Sequence, residues 1–535
     1  MNMIPQPRRR AVRTLAGALL AAACWAGLAT GARAEELRIA IGGAFTSMDP
    51  HFHDMSTNVA LTRHVFDGLT TVDANYRPAP GLAVSWRAID DRTWEIKLRE
   101  GVTFHDGGAF TADDVAFTFA RIPEVPNAPA RFTPYIRPVK RLEVVDAHTI
   151  RLHTADPAPT LPILLSSFGI VGRHQAEGAT TADFNSGKAA IGTGPYRLVS
   201  FTAGDRAVFA RNDAWWGPRQ SWDEVTYRII ARGAARVAAL KAGDVDVIDA
   251  VPTRDVAGLQ ADPKLAIFSA ASLRLAFIYL DVGRAQTPFA TDLDGKPLAT
   301  NPLRDPRVRQ ALSLAINREG MRRQVMDGFS APTGQMMPKG AMGYDPDLPP
   351  DPYDPARARA LLAEAGYPNG FGLTLHGTND RYVNDGAIIQ AVAQMWTRIG
   401  VKTEVGSLPA SMFFTRFAKD EFSASMTGTW SSTGEADLVI GFQLATPDPS
   451  RGRGSRVRES HYRDPALDAL LDKAIVTLDP AAREDLYRQA VRLGMAQHPI
   501  LPLHHEVNVW AVRKGITMTP PMIDQTQAMD FALQR

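Results

Sequence analysis

Four imidazoles and two carboxylates sit near the two ends of this chain, in His51-Phe52-His53-Asp54 and His504-His505-Glu506. If the termini fold together, His51, His53, His504 and His505 form a donor set suited to a borderline metal such as nickel or zinc. The plainer reading makes His504 and His505 successive strand residues facing opposite sides, with His51 and His53 in a loop making ordinary hydrogen bonds. His105-Asp106 precedes Gly107-Gly108 and has the composition of a turn. Gly192-Thr193-Gly194-Pro195-Tyr196 begins like a phosphate-cradling glycine loop but lacks its third glycine. It reads instead as a rigid turn entering a strand at Arg197-Leu198-Val199. The sequence contains no G-x-S-x-G elbow, no H-E-x-x-H, and no Ser-x-x-Lys accompanied by its partner motifs. No catalytic residue and no cofactor site is expected.

The 535 residues are 45% hydrophobic and 22% charged, with 9 Trp, 23 Phe and 11 Tyr, which excludes a disordered chain or a coiled coil. The length suggests about three structural units. Residues 1–34 carry Arg8, Arg9, Arg10, Arg13 and Arg33 and no acid, so the other 501 residues hold 54 basic and 57 acidic side chains, a net of −3. A mildly acidic body argues against a nucleic-acid partner. The arginine run, an apolar stretch from Leu15 to Leu28 and the exit Ala32-Arg33-Ala34 have the pattern of a secretory leader cleaved near Ala34. The stretch is too short for a membrane span. Cys24 after Ala21-Ala22-Ala23 leaves a lipid anchor as an alternative, and the arginines leave the twin-arginine route open beside the general one. Cleavage at Ala34 removes the only cysteine, so the exported chain is expected to have neither a disulfide nor a thiol nucleophile.

Leu37–Ile41 alternates and ends at Gly42-Gly43, a first strand running into a loop. Trp94, Ile96 and Leu98 alternate with Glu95, Lys97 and Arg99, a half-buried strand, and residues 142–152 read as a hairpin. Thr111 and Asp114 frame a capping box ahead of Val115, Phe119 and Ile122. Asp305-Pro306, Asp354-Pro355, Asp464-Pro465 and Asp479-Pro480 each put an N-cap acceptor before a proline at the first helical position. Gly243 and Gly366 mark helix ends. The class is mixed α/β in several lobes.

The segment from Val65 to Arg121, VFDGLTTVDANYRPAPGLAVSWRAIDDRTWEIKLREGVTFHDGGAFTADDVAFTFAR, closely resembles the signature of the extracellular solute-binding proteins of family 5, the peptide/nickel/opine group that serves ABC importers. Further blocks follow in order: Gly192–Tyr196 with Asn212–Gly217, Asp305–Ala311 with Ala315–Arg318, Leu361–Tyr367, and Ile399–Val401. The resemblance implies a two-lobed periplasmic binding protein of type II with an additional domain, monomeric, closing on its ligand by hinge motion. Lobe I would comprise 35–70, 195–285 and the return segment 505–535, the additional domain 71–194, and lobe II 286–504. Its partners would be a small-molecule or short-peptide ligand and an inner-membrane ABC permease.

In peptide-binding members of this family, an Asp three residues after a Trp holds the ligand's α-amine. The matching stretch has Trp430, but the third residue on is Thr433, with Glu435 and Asp437 as the nearest substitutes. Trp430 offers a broad aromatic face to a ligand. Arg381, in Thr378-Asn379-Asp380-Arg381-Tyr382, could grip a carboxylate with its fork of donors, or pair with Asp380 or Asp385. Phe45, Thr46 and Ser47 follow the first strand where relatives place cleft residues, and the return segment brings His504, Val507 and Trp510. The expected ligand is a small peptide-like or opine-like solute bearing a carboxylate. A metal or metal chelate held by the four histidines is the alternative, and an exported hydrolase stands behind both.

Overall fold

The computed structural model describes Met1 and residues 35–448, 453–454 and 461–534. The leader expected over 1–34, including Cys24 and the Ala34 exit, lies outside the described residues apart from Met1. Secondary structure begins with the strand Glu36–Ile41 and then alternates strands with mostly short helices.

Twelve strands form one hydrogen-bonded sheet that serves two lobes. In the first lobe, Glu36–Ile41 runs parallel to Glu224–Ile229 on one side and to Val247–Ile248 on the other, with Arg206–Arg211 and Tyr196–Thr202 continuing antiparallel. In the second, Phe371–Thr378 runs parallel to Val401–Leu408 and to Ala424–Thr429. Two long antiparallel strands, Leu265–Leu280 and Ile500–Arg513, pass through both lobes. Residues 265–271 pair with 507–513 in the first lobe, and 275–279 pair with 500–505 in the second, with a one-residue register shift between Ala276 and Phe277. Between these stretches Ser272, Leu273 and Arg274 stand opposite Glu506 alone, so the ladder is broken where the lobes join. Such a bulge leaves backbone unpaired and bends the strand.

Each lobe has its own apolar core. Ile39, Phe45, Phe209, Trp222, Tyr227 and Trp510 centre the first, whereas Leu312, Leu375, Ile389, Trp396 and Met426 pack on one face of the second lobe's sheet, with Phe277, Phe413, Ile440 and Tyr487 on the other. A four-stranded antiparallel sheet of Ala83–Asp90, Thr93–Leu98, Thr149–Thr154 and Val139–Asp146 packs Trp94, Ile96, Leu98 and Leu152 into a further cluster. As the alternation predicts, Glu95 lies on the face opposite Trp94, Ile96 and Leu98, where its register partners Arg87 and Arg151 cover it, bonding its two carboxylate oxygens at 2.8 and 3.1 Å and leaving it 8% exposed. Paired to that extent, the charge tolerates burial.

All four Asp-Pro helix starts are built as their chemistry requires. The side chains of Asp305, Asp354, Asp464 and Asp479 accept first-turn amides of the helices Pro306–Leu314, Pro355–Glu364, Pro465–Ala474 and Pro480–Ala496. The Thr111–Asp114 box caps Ala112–Arg121. Gly192 and Gly194 form a tight turn against the backbone of Val65, whose carbonyl accepts the Gly194 amide at 2.9 Å. A Cβ on Gly192 would lie 1.9 Å from that carbonyl oxygen. Asp67 secures the same turn, accepting from the Thr193 hydroxyl and from both indoles of Trp215 and Trp216. This carboxylate therefore ties together the sequence blocks around 194 and 215.

Candidate functional site

The parallel strands of the first lobe end at Gly42, Ile230 and Asp249, and those of the second end at Asn379, Pro409 and Trp430. In open α/β sheets the crevice beyond these carboxyl ends is where ligands bind. Here a cavity of about 760 Å³ occupies part of that crevice, beside the broken ladder. Asp249–Arg254 wall it from the first lobe, Gln324–Asp327 and Val383-Asn384 from the second, and Glu506–Trp510 form its floor. Asp524 and Thr526 close the remaining side. That volume falls within the range of small-ligand pockets.

The two lobes touch at its edge. The Thr253 hydroxyl donates to Asp327 at 2.8 Å across the lobes, while Asn384 donates through Nδ2 to the Val325 carbonyl at 2.8 Å within lobe II. Asp327 and Asn384 both adopt left-handed backbone (φ 50° and 56°), which Asn and Asp tolerate better than other side chains.

Carboxylates dominate the charge. Asp249 accepts from the Gly42 amide at 2.9 Å, and burial, reinforced by the nearby Asp524, pushes its pKa up to about 6 against the pull of Arg236. Burial also raises Glu506, with Asp524 adding to the effect and Arg274 and Arg381 opposing it. Arg274, inside the broken ladder, reaches Glu506 at 3.3 Å and Asp524 at 3.6 Å. Ser56 donates to Asp524 at 2.8 Å.

The sequence-predicted residues divide between this cavity and other parts of the molecule. Trp510 lines it, 2% exposed, its indole donating to the Thr526 hydroxyl at 2.9 Å, and Val507 lines it too. Arg381 is exposed, its guanidinium 5.7 Å from the Tyr382 ring centre and its field felt at Glu506. Neither Asp380 nor Asp385 holds that guanidinium: Asp385 accepts the Arg381 and Tyr382 amides, and Asp380 accepts the Ala410 amide. Trp430 is 49% exposed at the carboxyl end of Ala424–Thr429.

Phe45 is fully buried with its ring 5.9 Å from Phe201, and the Ser47 hydroxyl, also buried, donates to Asn185 at 2.9 Å. Thr46 is exposed, its amide bonded to Asn58 and its hydroxyl 3.0 Å from His53 Nδ1. Thr433 donates to Asp437 at 2.6 Å, while both oxygens of Glu435 accept from Arg483 at 2.9 Å. These three residues face partners within lobe II.

The four-histidine centre is not formed. His51 sits beside Asp49 and Arg121; Arg121 donates to its Nδ1, so Nε2 carries the proton donated to the Gly169 carbonyl at 2.8 Å. Burial and Arg121 lower its pKa to about 4. His504 and His505 are buried in Ile500–Arg513, with burial pushing them down to about 4 and 3. No three His, Cys, Asp or Glu side chains are grouped to hold a metal among the described residues.

Asp249, Thr253, Arg274, Asp327 and Asp524 were not singled out by sequence. One signal was there for Asp249: Val245, Val247 and Ile248 make a short apolar strand that ends on a carboxylate at the lobe edge.

Residues 77–448 match the family model described as bacterial extracellular solute-binding proteins, family 5 middle. The chain is 28% identical over 498 residues to the glutathione-binding protein GsiB of Shigella flexneri serotype 5b, covering 90% of this chain and 91% of the relative. HbpA2 from Haemophilus parasuis superposes with a TM-score of 0.81 at 24% identity, over 93% of this chain and 99% of the other. The binding protein AgaA from A. tumefaciens R10, in complex with agropinic acid, superposes with a TM-score of 0.67 at 24% identity, over 94% and 99%. The fold is that of these two-lobed α/β binding proteins.

Proposed function

Because the chain belongs to the bacterial extracellular solute-binding proteins of family 5, we propose that it is the periplasmic receptor of an ABC importer and captures a small peptide-like or opine-like solute bearing a carboxylate. The relatives named for glutathione and agropinic acid support that ligand class. The observation that carries the mechanism is the pairing of the two long strands, which is interrupted between the lobes at Ser272–Arg274 opposite Glu506, with a one-residue register shift inside lobe II at Ala276/Phe277. Rotation there moves one lobe against the other while each core stays intact. A solute bridging the cleft makes contacts only in the closed form, and that difference shifts the population toward closure. Closed lobes then present a paired surface to the permease.

Arg381 is assigned to the solute's carboxylate, since neither flanking aspartate holds its guanidinium. Trp430 is assigned to a flat or apolar portion of the solute. The division into lobe I (35–70, 195–285, 505–535), an additional domain (71–194) and lobe II (286–504), with residues 275–280 shifted to lobe II by their pairing and packing, belongs to this reading, as do the cleaved leader, the monomeric state and the lack of enzymatic turnover.

Native mass spectrometry of protein prepared from the periplasm without refolding tests it. A retained small acid or peptide that is lost from Arg381→Ala supports the assignment. A metal-containing adduct would favour a chelate receptor, and turnover of ester or amide substrates that persists through purification would overturn the receptor reading.

A further inference from the structure

Resting on that reading of the cleft, we propose that the solute also carries a protonated amine, held at the hinge end of the cleft by Asp249, Glu506 and Asp524 and not by the 430–437 loop of lobe II. Both carboxylates of that loop are engaged within lobe II. Thr433 stands where an acid would be needed and spends its hydroxyl on Asp437. Glu435, 7% exposed, gives both oxygens to Arg483.

The hinge end has the opposite character. Three carboxylates from three separate segments line the same cavity, and of the guanidiniums around it the two that approach them, Arg236 and Arg274, answer them poorly. Arg236 comes no nearer to the Asp249 carboxylate than 3.6 Å, because its N–H groups are spent on the carbonyls of Ile230, Ala231, Asp249 and Ala250. Arg274 is divided between Glu506 and Asp524, at 3.3 and 3.6 Å, longer than charge-assisted hydrogen bonds normally run. A compact ammonium with three donors suits such a set. Asn508, which also lines the cavity, has a buried Nδ2 with no acceptor among the described residues, a donor that a carbonyl next to the amine would satisfy. With Arg381 on the lobe II side, the cleft is arranged for a zwitterion.

The groups facing these acids fix the expected pH response. Glu506 faces Arg274 from its paired strand, Arg381 and the Val383 amide from lobe II, and Asp524 from the C-terminal segment. Asp249 faces Arg236, the Gly42 amide and Asp524. Asp249 is ionised at pH 7.5 and takes up its proton as pH falls through about 6. Attraction for an ammonium is therefore strongest at neutral pH and weakens on acidification as Asp249 takes up its proton.

The test uses ligand-free protein, native mass spectrometry and an equimolar pool of defined di- and tripeptides, each with its N-acetylated twin. Free-amine forms should be retained at least tenfold over their twins at pH 7.5, and the preference should shrink at pH 5. It should also collapse in Asp249→Asn and in Asp524→Asn, with melting curves checking that each variant is folded. Equal retention of acetylated and free forms would overturn the amine site while leaving a carboxylate receptor. Retention of no peptide at all would overturn the ligand class, and the amine site with it.

Discussion

Replacing Glu435 by Leu leaves Arg483 as an unanswered charge with its side chain 5% exposed, in a lobe II core that includes Tyr487 and Ala490. Removing one partner of a buried ion pair costs about 3–5 kcal/mol. Unfolding entropy near 2.1 cal/mol/K per residue gives roughly 0.5 kcal/mol/K if lobe II, roughly 220 residues, melts as a unit, so the melting temperature should fall by roughly 7–11 °C. Glu435→Gln should cost less, because the amide oxygen can still accept from Arg483. Burial first, and the Glu435 charge second, push Asp437 up to about 7, whereas Arg483 pulls it down. With Glu435 neutral, Asp437 ionises more readily and partly replaces the lost countercharge. Glu435→Gln combined with Asp437→Asn should therefore be worse than the sum of the single changes, as expected for groups sharing one partner. Differential scanning calorimetry at pH 7.5 reads all three. A Glu435→Leu protein that melts within about 1 °C of the parent yet loses its ligand would refute this, and would make Glu435 a ligand group.

Asp437→Asn alone should match the parent near pH 5 and exceed it in stability at pH 8. The folded-state pKa of Asp437 is raised, so the parent loses stability as pH climbs from about 4 toward 7, and Asn, which still accepts from Thr433, does not. Thermal melts at the two pH values check it. Trp430→Ala should weaken solute binding by about tenfold or more with little change in melting, because the ring is half exposed; calorimetric titration separates the two effects. Gly192→Ala should destabilise by about 1–3 kcal/mol or more, since its Cβ meets the Val65 carbonyl at 1.9 Å and backbone must move, which urea unfolding would show. Asp305→Ala should cost only about 1 kcal/mol, the worth of one N-cap, in the same assay.

Local chemistry was what the sequence exposed best. The Asp-Pro starts, the Thr111 capping box and the Gly192–Pro195 turn each depend on a few neighbouring residues, and each forms as its residues suggest. Glu95 keeps its outward place in the alternation, but its low exposure was not readable from the strand because the covering Arg87 and Arg151 come from two different strands. The cleft was legible mainly through resemblance, which drew attention to positions and not to contacts. Phe45 and Ser47 follow the first strand, yet one fills the lobe I core and the other bonds Asn185 far along the chain. Glu435 could not be told from a ligand group until Arg483, 48 residues away, was seen to hold it.

The hinge shows why such sites stay hidden in a linear reading. Ser272–Arg274 and Glu506 are unremarkable in composition, and neither stretch carries a motif. Their importance arises only when two strands more than 200 residues apart pair on both sides and fail to pair between. The break frees backbone for rotation, and it also leaves room for charged side chains that a regular central strand would exclude. Arg274 and Glu506 occupy that room, next to Asp524 from the C-terminal segment, so the proposed point of bending carries charged groups of both signs. A ligand bound at this point changes the electrostatics of the hinge itself: an ammonium among these carboxylates relieves their mutual repulsion in whichever lobe arrangement brings them nearest. Binding and closure are then one equilibrium, driven by contacts that the open form does not make.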